Sequence, residues 1–213
     1  MQNESQVREG MPSKLGVREI VLVGLFTGLT CIVAFIMKWG GAVLVPFSLL
    51  PLMSFLAGAL LGGRLGALSM LVYVLMGIVG IPVFATEPFG GPIYVLKPTF
   101  GFLLGFIASA YVTGKIVEKH PEPSIWRYGL GMLAGVGVIY LIGLPYIWVA
   151  CNFWAGAIMQ YLAVSVKAMS MPTVIKVSFL PFIGFDLIKV GFGAFLAHLV
   201  TRRVGAVVRR PVG

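Results

Sequence analysis

Asp186 and Lys189 stand three residues apart in the apolar run FLPFIGFDLIK, a spacing that puts both side chains on one face of a helix. The run continues into a stretch long enough to cross a membrane, so Asp186 is set inside or at the lip of a span. An ionisable group at that depth costs on the order of 3 kcal/mol by insertion scales. Such a pair therefore faces a polar cavity, performs a task, or staples two helices together. Pro181 and Gly184 just upstream place the start of the helix beside a loop, which favours the cavity. A half-buried helix start also offers free N–H donors to a ligand.

Six further residues fall at the same end of neighbouring apolar stretches: Tyr94, Lys97, Thr99, Tyr140, Trp148 and Asn152. Together they could line a pocket. Tyr94 and Trp148 fit an interfacial aromatic belt equally well, whereas a buried Asn152 amide would need partners. His198 is alone in its stretch and reads as a packed or interfacial residue. Gly24 and Gly28 form a G-x-x-x-G in LVGLFTGLTC, a small surface that lets another helix approach closely in lipid.

The absent motifs favour binding over catalysis. The sequence contains no H-E-x-x-H, no nucleophile elbow, no Cys-His pairing and no P-loop, and one carboxylate beside a lysine is a poor acid–base pair. A membrane enzyme acting on lipid or an isoprenoid would need several carboxylates facing one cavity, and Asp186 has no companion. Cys31 and Cys151 lack C-x-x-C spacing or a nearby histidine ligand, so they read as inert buried thiols, with neither disulfide nor metal and no cofactor site expected. Gly129, Gly131, Gly135 and Gly137 sit inside an apolar run with no following Lys-Ser/Thr, unlike a nucleotide loop.

These residues must be positioned by membrane helices. Of 213 residues 59% are apolar and 11% charged, against roughly a quarter charged in soluble domains. Apolar runs and their breakers predict an all-α membrane protein with six transmembrane helices at 18–38, 46–62, 65–82, 98–118, 127–150 and 184–202. The second and third are short, and Gly62-Gly63-Arg64 between them is too tight for anything but a helical hairpin. The division is a segment 1–17, a transmembrane domain 18–203 and a basic tail 204–213. Within the domain, 151–183 is apolar but interrupted by Lys167, Pro172 and Lys176, which predicts short helices acting as an outward cap. A seventh span is the alternative, and it would carry the C-terminal arginines across the membrane.

Charge orients the bundle. With six spans, one face carries Arg8, Lys14, Arg18, Arg64, Lys115, Lys119, Arg127, Arg202, Arg203, Arg209 and Arg210, while the other keeps Lys38, Lys97, Lys167, Lys176 and Lys189. The positive-inside bias then puts both termini in the cytoplasm and the Asp186 end outside. The net charge of +9 is thus a matter of topology rather than nucleic acid, since no polar face with interleaved aromatic residues is present.

PFSLLPLMSFLAGALLGGRLGALSMLVYVLMGIVGIPVFA at 46–85, KPTFGFLLGF at 97–106, VIYLIGLPYIW at 138–148 and FLPFIGFDLIK at 179–189 resemble the BioY family over nearly all of 18–203. The resemblance implies a biotin-binding substrate-specific (S) component of an energy-coupling-factor (ECF) importer in a prokaryotic plasma membrane. Its partners would be a transmembrane coupling subunit and two ATPase subunits. It also implies that Asp186 and Lys189 match the family's acidic and basic pair, that Thr99 matches its P-T-G-G turn, and that Gly24 and Gly28 match its surface against the coupling subunit. On that basis Asp186 accepts a ureido N–H, Lys189 donates to the ureido carbonyl or keeps the aspartate ionised, Tyr140 or Trp148 covers the apolar middle, and Lys97 or loop backbone takes the carboxylate. Another vitamin or a biotin-like compound, such as dethiobiotin or lipoate, is the alternative ligand. The chain departs from the family at Ser48-Leu49-Leu50-Pro51, where T-L-Q-T is usual, and at Glu87-Pro88-Phe89, where glycines are usual. The first departure predicts a helix breaker at Pro51.

Overall fold

The computed structural model describes residues 15–39, 48–120, 123–154 and 168–208, and these form a helical bundle. In chain order the elements are α1 (Val17–Trp39), α2 (Leu50–Leu61), α3 (Gly63–Val79), a five-residue 3-10 helix (Pro92–Leu96), α4 (Phe100–Glu118), α5 (Ile125–Phe153), α6 (Met171–Ser178) and α7 (Leu180–Val208). Four helices, α1, α4, α5 and α7, are long and apolar enough to cross a membrane, while α2 and α3 are apolar but only 12 and 17 residues long. Large apolar side chains point outward along the long helices, among them Val21, Leu141, Ile188 and Phe192. Together with the four apolar helices, that surface is one that lipid covers, and the chain is an integral membrane protein.

α4 lies at the centre, against α2, α3 and α5; α7 packs on α5 and α2, and α1 on α3. Tyr73, Tyr128, Phe55, Met70 and Met132 are fully enclosed between these helices. The hairpin of α2 and α3 turns on the single residue Gly62, whose φ of 88° lies in the region that favours glycine. A side chain at Gly66 would bring its Cβ within 2.7 Å of the Gly58 backbone, and one at Gly114 would fall on the backbone of Gly63, so the three helices meet backbone to backbone. Glu118 on α4 accepts the Gly63 N–H at 2.7 Å and pairs with Lys115 at 3.1 Å, which satisfies a free donor at the start of α3.

The prolines account for the differences from the predicted spans. Pro51 sits in the first turn of α2 and Pro181 in the first turn of α7, where the missing N–H costs nothing. Pro51 therefore starts a helix rather than breaking one, and α7 begins at Leu180 rather than 184. α6 runs into α7 through Phe179 alone, so this eight-residue helix and the helix of the ion pair are nearly continuous. α5 accommodates Pro145 in its interior and continues to Phe153, beyond the predicted end at 150. Residues 155–167 of the expected cap lie outside the described residues, as do 1–14 and 209–213.

Arg18, Arg64, Lys115, Lys119, Arg127, Arg202 and Arg203 lie on helix ends and turns at one end of the bundle: the start of α1, the α2–α3 turn, the end of α4, the start of α5 and the last turns of α7. The opposite end holds the candidate site.

Candidate ligand-binding site

At that opposite end a cavity of about 450 Å³ opens between the last turn of α1, the first turns of α2, α4 and α7, the middle and C-terminal part of α5, and the α3–α4 connection. Its walls are largely apolar, with Met37, Leu50, Phe102, Phe106, Ile139 and Phe182 among them. That size, with a few convergent polar groups, suits a small organic ligand.

One polar wall is built by α5 and α7. Asp186 and Lys189 are buried, 7% and 9% exposed, and Lys189 Nζ lies 2.7 Å from Asp186 Oδ1. Tyr140 donates its hydroxyl to Asp186 Oδ2 at 2.5 Å. The i, i+3 spacing brings acid and base together without help from another helix, and Tyr140 ties the pair to α5. Phe179 and Phe102 meet the Tyr140 ring edge-on, at 4.8 and 6.1 Å between centroids. All three polar side chains border the cavity, so the pair is not sealed in a helix contact.

A second polar wall comes from the loop between α3 and α4. Tyr94 Oη and Thr86 Oγ1 are 2.8 Å apart, and Lys97 Nζ donates to Thr86 Oγ1 at 2.9 Å and to the Glu87 carbonyl at 2.6 Å. Burial pushes the Lys97 ammonium below the ordinary lysine range, with Glu87 pulling the other way. Burial raises the Tyr94 phenol, against hydrogen bonds from Thr86 and Thr99. Thr99 is the residue before α4 and also borders the cavity. The C-terminal end of α5 and the residue after it hold this loop in place. Tyr146 donates to the Val95 carbonyl and Trp154 Nε1 to the Leu96 carbonyl at 2.9 Å.

Six of the eight residues singled out as ligand contacts thus border one cavity: Asp186, Lys189, Tyr140, Tyr94, Lys97 and Thr99. Trp148 and Asn152 are not among its lining residues. Trp148 packs on the Ile147, Cys151 and Val174 cluster under α6, and the Asn152 amide donates to the Trp148 and Met169 carbonyls, tying α5 to the chain entering α6. Thr86, Ser178, Tyr146 and Trp154 were not predicted. The loop residues carry no periodic signal, and the supporting roles of Tyr146 and Trp154 arise only from tertiary contact. Gly24 and Gly28 face away from the bundle, with nothing in the described structure within 4 Å of a Cβ built at either. Among the described residues no cluster of three or more His, Cys, Asp or Glu could hold a metal ion.

The model of the BioY family matches residues 4–206. The biotin transporter BioY of Thermotoga maritima is 36% identical over 181 residues, 85% of this chain and 94% of that protein. The biotin transporter BioY of Rhodobacter capsulatus is 34% identical over 196 residues, 91% of this chain and 98% of that one. Among solved structures, an S-component for biotin from an ECF-type ABC transporter superposes with a TM-score of 0.59 over 95% of each chain, at 20% identity. At that identity the likeness speaks for the fold.

Proposed function

This chain belongs to the BioY family, and from that premise we propose that it captures biotin from outside the cell as the S component of an ECF-type importer, docking on a transmembrane coupling subunit served by two ATPase subunits. The observation that carries the reading is the buried Asp186–Lys189 pair opening into a largely apolar cavity. Biotin is an uncharged ureido ring on an apolar body with a carboxylate at its far end. A wall holding both a carboxylate and an ammonium can accept from a ureido N–H and donate to the ureido carbonyl. Each buried group left unpaired by an analogue would cost about 1–3 kcal/mol, and that cost is the source of selectivity. Lys97, at the loop wall, is the cation suited to the ligand carboxylate. Binding and release complete the task, so the chain is a transport subunit and not an enzyme.

The topology proposed with this function has six spans, α1 to α5 and α7, with α6 as part of an outer cap. Both termini lie on the cytoplasmic side of the plasma membrane, the arginine-rich end inward and the cavity outward, as the distribution of basic residues supports. The outward faces of Gly24 and Gly28 on α1 are the surface proposed for the coupling subunit.

Equilibrium binding of labelled biotin to the detergent-solubilised protein tests the reading. Asp186→Asn keeps the side-chain shape, removes the charge, and is expected to weaken binding at least tenfold, or about 1.4 kcal/mol. Unchanged affinity would take Asp186 out of the site. A thermal-shift panel with biotin, dethiobiotin and lipoate separates the ligands, since dethiobiotin keeps the ureido ring and lipoate lacks it.

A further inference from the structure

The direction of each hydrogen bond around Asp186 sets what a ligand there must offer. Lys189 donates to Oδ1 and Tyr140 donates to Oδ2, so both carboxylate oxygens already hold one donor each. A phenol has a single proton, and an ionised carboxylate only accepts. With its proton committed to Asp186, the Tyr140 oxygen presents lone pairs alone. An ammonium carries three protons, and among the described residues Lys189 donates one to Asp186, at 2.7 Å.

The carboxylate therefore has two unlike edges. Along Lys189 and Oδ1, a donor stands beside an acceptor, which matches an O=C–N–H edge of a neutral cyclic urea. Along Oδ2 and Tyr140, two acceptors stand side by side, which matches paired donors such as an amidinium, a cation that the nearby ammonium repels. The edge-on contacts of Phe179 and Phe102 hold the Tyr140 ring and so keep the second edge in this state.

Resting on the biotin reading, we infer that Tyr140 is a positioning residue: by donating to Asp186 Oδ2 it confines recognition to the Lys189–Oδ1 edge, so that this wall reads one O=C–N–H edge of the cyclic urea and not both N–H groups. Tyr140 then acts as a polar orienting group, where the sequence suggested an aromatic cover. Removing the hydroxyl takes the Tyr140 lone pairs away from beside Oδ2, so an O=C–N–H edge can lie along that oxygen without its carbonyl facing an acceptor, and the choice between the two nitrogens relaxes.

The two mono-N-methyl isomers of biotin test this, because each blocks one N–H. Binding of biotin and both isomers is measured by calorimetry on the unaltered chain and on Tyr140→Phe. In the unaltered chain the isomers are expected to differ by about tenfold or more, as one loses a buried hydrogen bond and the other does not. In Tyr140→Phe the ratio is expected to fall toward one while biotin itself binds more weakly. Equal affinities of the two isomers in the unaltered chain would overturn the inference. So would an unchanged ratio in Tyr140→Phe, which would make the tyrosine a brace without influence on recognition. Should the variant fail to fold, equal affinities of the two isomers in the unaltered chain would still overturn the inference. Failure of biotin itself to bind the unaltered chain would instead refute the function on which the inference rests.

Discussion

Trp154 Nε1 donates to the carbonyl oxygen of Leu96 at 2.9 Å, linking the residue that closes α5 to the loop that forms one wall of the cavity. The neighbouring Tyr146 hydroxyl does the same to Val95. Tyr146 of α5 and Trp154, the residue after it, thus hold in place the backbone that presents Tyr94 and Lys97.

Loss of that hold is expected to show in ligand residence. Trp154→Phe keeps the ring packed near Tyr146 and removes one neutral hydrogen bond, worth about 0.5–1.5 kcal/mol. Biotin is expected to leave roughly 3- to 10-fold faster in a chase with excess unlabelled ligand, with little change in the unfolding temperature of the empty protein. An unchanged off-rate would show that the loop stands without the indole.

The pH dependence of binding follows from Lys97. In the empty site burial depresses its protonation, with Glu87 opposing. A bound carboxylate would favour the charged form and raise the value again. Binding thus takes up a proton between the two values: affinity is full below the empty-site value and falls as pH rises through it toward the loaded one. Biotin amide, with a neutral tail, is expected to show no such fall, and Lys97→Gln is expected to flatten the curve for biotin. A parallel alkaline fall for acid and amide would assign the titration to another group.

Docking and capture are expected to separate on α1. Replacing both Gly24 and Gly28 with leucine adds bulk where the bundle makes no contact. Biotin affinity is expected to hold while co-purification with the coupling subunit is lost. Retained assembly would move the docking surface elsewhere.

The glycines where α4 meets the hairpin are expected to behave oppositely to those facing outward. Gly114→Ala would drive a methyl group into the Gly63 backbone, whereas nothing lies within 4 Å of a Cβ at Gly137. Thermal unfolding in detergent is expected to show a marked loss for Gly114→Ala. Gly137→Ala, in a helix interior, is expected to be neutral or to gain about 0.5–1 kcal/mol. Equal effects would mean that the close approach of α4 to the hairpin is not what holds these helices.

Much of this arrangement was legible in the sequence because lipid imposes a strong pattern. Apolar runs located α1 to α5 and α7 to within a few residues, and the tight turn at Gly62 was readable because nothing longer fits between the second and third runs. Asp186 and Lys189 were legible for a similar reason, since charge in an apolar run demands an explanation. The prolines were harder. Pro51 and Pro181 look like breakers until the turn they occupy is known, and the first turn of a helix has no use for their missing proton. Trp148 and Asn152 lie near the right end of the bundle, yet sequence gives no rotation about a helix axis at this precision, and both side chains serve the contact between α5 and the segment around α6. Tyr94 and Lys97 were among the residues singled out, whereas Thr86, which joins them into one wall, sits on irregular backbone that no periodicity forecasts.

The junction at Phe179 bears on how the vestibule can open. Pro181 cannot donate to the Val177 carbonyl, so the lattice of backbone bonds between α6 and α7 is thinnest there. Any tilt of α6 would turn about Phe179, the same ring that braces Tyr140. Phe179 thus belongs both to the turn between α6 and α7 and to the packing of the Tyr140 ring, so a displacement at that turn would also reach the grip on the Asp186 carboxylate.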